Sequence, residues 1–261
     1  MVNREDYNDR QVNAARSVML ELVRMLGEYQ DAMIIVGGWV PALLIPSGVK
    51  GHVGSIDIDI ALDHRKVKEN AYKTIKALLE SRGYTEDGKK PYTFNRMVTV
   101  EGQVIVVEVD FLAGEYAGTG KSRRTQPFQD IRARKARGCE IAFEMNEELT
   151  IEGTLPGGAR DSARVRVASV VPFIVMKGMA IADRLKEKDP YDIYYCLKYY
   201  PGGLDALIEE FKHHLRNKLV IEGLRNISEK FASVDHYGPK AVADFNSVTD
   251  REERDQIQRD V

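Results

Sequence analysis

The stretch SIDIDIAL, Ser55 to Leu62, alternates polar and apolar residues with period two, so Ser55, Asp57 and Asp59 belong on one face of a strand. Two carboxylates that close repel each other unless a cation sits between them, and an oxygen-rich pair suits Mg²⁺. The same residues also read as a solvent-exposed strand face. A second acidic strand comes later in VIVVEVDFLAGE, where Glu108 and Asp110 share a face at the end of an apolar run. Burying a carboxylate there without a partner would be costly. If this strand lies beside the first, Asp57, Asp59 and Asp110 converge. Upstream, MIIVGGWVPALL ends a short apolar strand at Gly37-Gly38 and opens a helix. Glycines at such a junction let backbone N–H groups approach a triphosphate with no Cβ in the way, and the helix end adds positive partial charge. Alone, the pair is also an ordinary turn. Together, three acids, a glycine-lined phosphate site and two metal ions describe in-line nucleotidyl transfer, with Mg²⁺ as cofactor and an NTP as substrate. Glu108 is a candidate fourth acid, with a plain strand-face glutamate as the alternative.

The surrounding elements must hold these residues in place. Between Glu5 and Tyr29, Val12, Ala15, Val18, Met19, Leu22, Val23 and Leu26 recur at helical spacing, an amphipathic helix that docks on the downstream elements. Pro41 is tolerable in the first turn of the helix after the glycine pair. Lys66 to Arg82 reads as a helix. Tyr92 to Val100 and Gln103 to Leu112 read as antiparallel strands joined at Glu101-Gly102, with glycine where a hairpin wants it. Shorter strands are expected at Cys139 to Phe143, Glu148 to Ile151 and Arg164 to Val167, with TLPGGARD as a loop. After Ser169 the pattern is helical to the end. The fold expected is therefore α/β (α+β), a mixed sheet flanked by helices over residues 1–167, followed by a helical C-terminal domain over 168–261 that completes the active-site cleft.

Lys121 to Gly138 is the one strongly basic stretch. It carries Lys121, Arg123, Arg124, Arg132, Arg134, Lys135 and Arg137 against Asp130 alone. Such a run suits phosphate-backbone contacts by counterion release, and Phe128 could stack on a base; a solvated loop or helix face is the alternative. Over the whole chain Lys+Arg at 38 nearly balance Asp+Glu at 40, so no global field marks a nucleic-acid or membrane partner. With two cysteines in 261 residues and no CxxC or His/Cys cluster, structural zinc is not indicated, and a reducing cytoplasm is. The charged N-terminus and the lack of a membrane-length apolar run lead to the same expectation, a cytoplasmic protein.

The order GGW, SIDIDI, VEVDF resembles the DNA polymerase β-like nucleotidyltransferase superfamily, with its glycine pair, acid-x-acid strand and later third acid. The segment MKGMAIADRLKEKDPYDIYY, Met176 to Tyr195, is similar to the Lys…Arg…Lys-Asp…Asp helical motif of abortive-infection nucleotidyltransferase toxins of the AbiEii/AbiGii type and their tRNA-modifying relatives. The resemblance spans roughly Ile34 to Tyr199. It implies that Asp57 and Asp59 hold the metals and that Asp110 helps to activate the nucleophile. It also implies that Gly37, Gly38 and Ser55 line the nucleotide site, that Lys177 touches the nucleotide phosphates and that Asp192 supports it. Arg184, Lys188 and Asp189 belong to the same segment but read as a surface ion-pair set. The chain departs from its relatives at Val53, where many have arginine after the residue equivalent to His52, and at Trp39, where a serine usually follows the glycine pair. The acceptor implied is a tRNA 3′ end, with a cognate antitoxin as partner. A small-molecule acceptor of the aminoglycoside type, or a catalytically silent nucleotide-binding module, are the competing readings. His213-His214 have no partner at ligand spacing and read as surface residues.

Overall fold

The computed structural model describes residues 3–45, 51–67, 73–115 and 124–261. The N-terminal periodicity forms helix α1 (Asp9–Met25), which buries Ala14, Ala15, Val18, Met19, Leu22 and Val23. It is shorter than the pattern suggested: Arg4–Asp6 before it and Gly27–Ala32 after it are 3₁₀ segments. Asn3 caps the first, and Gly27, a poor helix former, stands where the second begins.

Strand β1 (Met33–Val36), buried at every residue, runs into the Gly37-Gly38 turn and then helix α2 (Trp39–Leu44). Strand β2 (Ile58–Leu62) begins one residue after Asp57. Helix α3 (Ile75–Ser81) is the described part of the helix expected over Lys66–Arg82. It starts late because the Thr74 hydroxyl accepts the Ala77 N–H as an N-cap, while residues 64–66 form a turn and 68–72 lie outside the described residues.

The short strand β3 (Thr85–Glu86) precedes the hairpin of β4 (Thr93–Val100) and β5 (Gln103–Ala113). Glu101 (φ 49°) and Gly102 (φ 79°) both take left-handed backbone, as the tight turn expected at this dipeptide requires. Strands β6 (Thr125–Phe128) and β7 (Ile131–Lys135) form a second hairpin, so Arg132, Arg134 and Lys135 of the basic stretch lie on a strand rather than on a loop or helix face. The strand expected at Cys139 to Phe143 is instead helix α4 (Cys139–Ala142). Its β-compatible residues are overridden by Gly138, whose left-handed φ of 84° turns the chain out of the sheet. Strands β8 (Asn146–Thr154) and β9 (Arg160–Ala168) are each longer than expected and close around the loop at Leu155 to Ala159.

The nine strands among the described residues form one mixed sheet, in the order β3-β4-β5-β2-β1-β9-β8, with β7 added beside β5 and β6 beside β7. The pairs β1·β9, β2·β5 and β5·β7 are parallel and the others antiparallel. Helix α1 packs against β4, β5, β8 and β9. The remaining helices are α5 (Val170–Asp183), α6 (Lys188–Tyr199), α7 (Gly203–Lys212), α8 (Lys218–Lys230), α9 (Tyr237–Phe245) and α10 (Arg251–Asp260). This is an α+β fold, a mixed sheet flanked by helices and followed by a helical C-terminal region.

Two compact units make up the chain. One comprises Asp9–Val40 and Ser55–Ser169 and holds the whole sheet; the other comprises the described residues of Met1–Asn8, Pro41–Gly54 and Val170–Val261. In the sheet unit the core is aliphatic and aromatic, with Phe94 and Phe111 edge to face at 5.8 Å. In the helical unit Phe245 packs at a tilt against both Tyr7 and Tyr191, and α5 and α8 meet so closely that a Cβ on Gly178 would lie 2.4 Å from the Gly223 carbonyl oxygen. Among the described residues no helix is long and apolar enough to cross a membrane.

Candidate functional site: an acidic face on the sheet and a buried charge network in the helices

Strand register places the acids. Strands β2 and β5 run side by side with Asp59 opposite Asp110; Val36 of β1 lies opposite Asp59, and Thr93 of β4 opposite Asp110. One row therefore crosses the sheet as Val36, Asp59, Asp110 and Thr93, and alternation puts Glu108 and Asn95 on the same face. Asp57 stands just ahead of β2, near enough for its charge to act on Asp110. Burial, and to a smaller extent Asp57, push the Asp110 carboxyl above the usual carboxylate range; the Thr93 hydroxyl, which donates to Asp110 Oδ1, and the Arg134 guanidinium pull it down. Glu108 is paired with Lys90 at 2.7 Å, as a plain strand-face glutamate would be.

The glycine pair and its neighbours shape one end of this row. Gly37 has φ 70°, and a Cβ there would stand 2.0 Å from Asp59 Oδ2, so both the backbone conformation and the carboxylate demand glycine. Ser55 is buried and its hydroxyl donates to Asp57 Oδ1. Trp39 is buried as well, and its indole N–H donates to the Asp57 carbonyl oxygen at 2.9 Å. It thus braces the main chain that carries the acid. Helix α2, at six residues, adds little of the positive end-charge expected of a helix opening at the glycine pair.

Among the described residues, no three His, Cys, Asp or Glu side chains are arranged as a metal-ligand set. The donor chemistry on the face is that of hard oxygen ligands. Mg²⁺ is commonly held by only one or two carboxylates, with water and substrate phosphates completing its shell, a chemistry that Asp57 and Asp59 suit, whereas the three acids expected to converge do not form a metal-ligand cluster.

The basic residues divide. Arg123 lies outside the described residues. The register Pro127↔Arg132 and Thr125↔Arg134 puts Arg132 and Arg134 on one face of the β6–β7 hairpin, and Arg124 and Arg132 line a surface hollow of about 470 Å³ with Thr125 and Pro127. Lys135 alternates to the opposite face, and Arg137 is paired with Glu115. Phe128 is buried at 4% exposure, so it cannot stack on a base as expected; the hairpin turns it inward opposite Ile131.

The helical unit carries the second set of motif residues. Lys177 on α5 is 2.6 Å from Asp189 and 2.8 Å from Asp192, both on α6, and Lys188 reaches Asp192 at 2.9 Å, one turn away. Arg184 holds Asp189 through Nε at 2.9 Å. Lys188 and Asp189 are buried at 2% and 0% exposure, which corrects their reading as surface ions. They are drawn inward because α6 starts with its charged first turn against α5, and each ion finds partners there. Burial opposes the charged forms, yet the surrounding ions win: Asp189 and Asp192 are held below the usual carboxylate range by Lys177 with Arg184 or Lys188, and Lys177 is pushed up by both acids.

His52 completes the network. Its Nδ1 accepts the Gly54 N–H at 3.1 Å, so in the neutral ring Nε2 carries the proton and donates it to Asp192 Oδ1 at 2.9 Å. Its side chain is fully buried between Tyr191 and Tyr195, and burial, reinforced by Lys188 and Lys177, lowers its pKa to about 4 despite Asp192. An unfolded chain binds this proton near pH 6.5 and the folded one only near 4. Stability therefore falls as the pH drops through that window, by on the order of 3 kcal/mol. Urea midpoints at pH 7 and pH 4.5 measure it; an H52Q chain should show a clearly smaller difference, and an equal difference would remove His52 as the cause. His213 and His214 lie just beyond α7 on the surface.

Sequence reasoning missed Thr93, Tyr92 and the bracing role of Trp39. Thr93 was within reach: from the Val100↔Gln103 pair next to the turn, equal steps along both strands arrive at Thr93↔Asp110. Comparison with protein-family models, with curated proteins and with solved structures gave no match. What stands is an architecture compatible with a nucleotidyltransferase-like fold.

Proposed function

We propose that this chain is a Mg²⁺-dependent nucleotidyltransferase that moves a nucleoside monophosphate from an NTP to a hydroxyl acceptor. The observation that carries the reading is the pairing of Asp59 with Asp110 on adjacent parallel strands, with Asp57 beside them and Cβ-less Gly37 against Asp59. Asp57 and Asp59 would hold the ions, with Asp110 as their neighbour; when bound, Mg²⁺ supplies charge stabilisation for the nucleophile and the leaving pyrophosphate. Backbone N–H groups at Gly37 and Gly38 would receive the triphosphate. The acceptor oxygen bonds to the α-phosphorus as the bond to the bridging oxygen breaks. Pyrophosphate leaves with the electron pair, and Asp110, steadied by Thr93, takes the hydroxyl proton. Trp39 and Ser55 fix the main chain and side chain of Asp57 throughout.

The finer reading is a toxin or phage-defence enzyme of the AbiEii/AbiGii type, acting on the tRNA 3′ end and restrained by an antitoxin. The cationic hollow at Arg124 and Arg132 favours a polyanionic acceptor over a cationic drug. The test is to incubate the protein with Mg²⁺ and each labelled NTP, together with total tRNA or an aminoglycoside panel. Label on tRNA is the expected result. Label on a drug would replace the acceptor, and NTP binding without any transfer would leave a silent nucleotide-binding module.

A further inference from the structure

Arg134 stands in the row next to the acids. It lies opposite Leu112, two residues beyond Asp110 on β5, so its side chain rises from the acidic face. Its guanidinium carbon sits 5.6 Å from the centroid of the Tyr92 ring, a flat platform for a planar cation. Nearby, Lys90 is paired with Glu108 and Arg137 with Glu115. Arg134 differs. Among the described residues its guanidinium donates no hydrogen bond, and its Nε is closed off from solvent without an acceptor. It acts on Asp110 through charge alone. A fixed, unsatisfied guanidinium in a half-buried position is costly, and what answers its planar donor geometry is a phosphate or carboxylate oxygen pair. The nearby carboxylates are held elsewhere, Asp110 by Thr93 and Glu108 by Lys90.

We infer that Arg134, seated on Tyr92, is the phosphate-binding residue of the acidic face, placed to draw a phosphoryl group towards carboxylates that would otherwise repel it. This rests on the nucleotidyl-transfer reading for the role of the face, and the phosphate belongs either to the triphosphate of the donor or to the backbone of the acceptor. The position favours the acceptor, because Arg132, on the same face of the β6–β7 hairpin as Arg134, continues into the cationic hollow.

Binding of two probes in the presence of Mg²⁺, inorganic tripolyphosphate and a short single-stranded oligonucleotide, tests it on wild-type protein, R134Q and R134K. R134Q should bind at least one probe tenfold or more weakly with an unchanged melting temperature, and R134K should recover part of the loss, since it restores the charge but not the fork. Loss confined to the oligonucleotide assigns the acceptor phosphate; loss of tripolyphosphate assigns the donor. If R134Q fails to fold, Tyr92→Leu removes the platform without removing charge and should weaken the same probe at least threefold. Wild-type affinity for both probes in the folded variants overturns the inference, as does a wild-type protein that binds neither. Because binding is read without transfer, a chain that transfers nothing but loses phosphate in R134Q refutes only the transfer reading.

Discussion

Replacing Asp57 with alanine should lower nucleotidyl transfer by at least about a thousandfold, equivalent to roughly 4 kcal/mol of transition-state stabilisation, while leaving the chain folded. The reason is positional. Asp57 is the acid whose main chain is anchored by Trp39 and whose carboxylate is anchored by Ser55, and its charge acts directly on Asp110. Removing it takes away an ion ligand and leaves the buried Ser55 hydroxyl without that acceptor, a stability cost of about 1 kcal/mol that relief of the repulsion with Asp110 offsets. Asp57→Asn separates the two effects, because the amide oxygen keeps an acceptor for Ser55 but carries no charge. It should be as inactive as the alanine variant and closer to wild type in its urea midpoint. Label transfer from NTP, with denaturation run in parallel, reads both quantities, and an Asp57→Ala protein of wild-type rate would end the metal-ligand assignment.

Asp192→Ala should be the most destabilising single change in the helical unit, at roughly 3–5 kcal/mol. Asp192 is fully buried and takes hydrogen bonds or ion contacts from His52, Lys177 and Lys188. Its loss takes from Lys188, 2% exposed, the buried carboxylate that faces its ammonium at 2.9 Å. Lys177 keeps Asp189 and suffers less. If the weakened pairing of this buried ammonium is the cause, adding Lys188→Met to Asp192→Ala should restore much of the stability, a coupling that a double-mutant cycle measures. A single variant within about 1 kcal/mol of wild type, or a double variant no better than the single, would show that the network does not carry this energy. The pair also sets acid sensitivity below the histidine window. Asp189 and Asp192 titrate below their unfolded values, so their contribution is complete above the ordinary carboxylate pKa and is lost as the pH falls through the depressed one.

The acidic face was legible because a strand has a period of two and a tight turn fixes register. Those two rules put Asp57 with Asp59, Glu108 with Asp110, and by extension Thr93 against Asp110. The glycine pair was legible as a turn, but why Gly37 must be glycine was not, since the clash is with an Asp59 oxygen on another strand. Lys188 and Asp189 misled for a related reason. A charged first turn looks solvated from its composition, but Lys177 of α5 and Arg184 answer Asp189, and Asp192, one turn on and itself shared with Lys177 and His52, answers Lys188. Cys139 to Phe143 failed because five residues are too few for periodicity to separate strand from helix, and the deciding feature was the left-handed Gly138 beside them.

By itself, then, the sequence determined the periodic elements, the mixed α+β character, the two acid pairs and the clustering of basic residues, all of which come from spacing along one chain. Only the tertiary structure decided which charges are already paired with one another and which stand unanswered. His52 lies 140 residues from its partner Asp192, and Arg134 lies 42 from the Tyr92 ring it rests on. Hydrogen bonds and ion pairs act over a few ångströms of space whatever the separation along the chain, and no local pattern encodes which distant residues will meet.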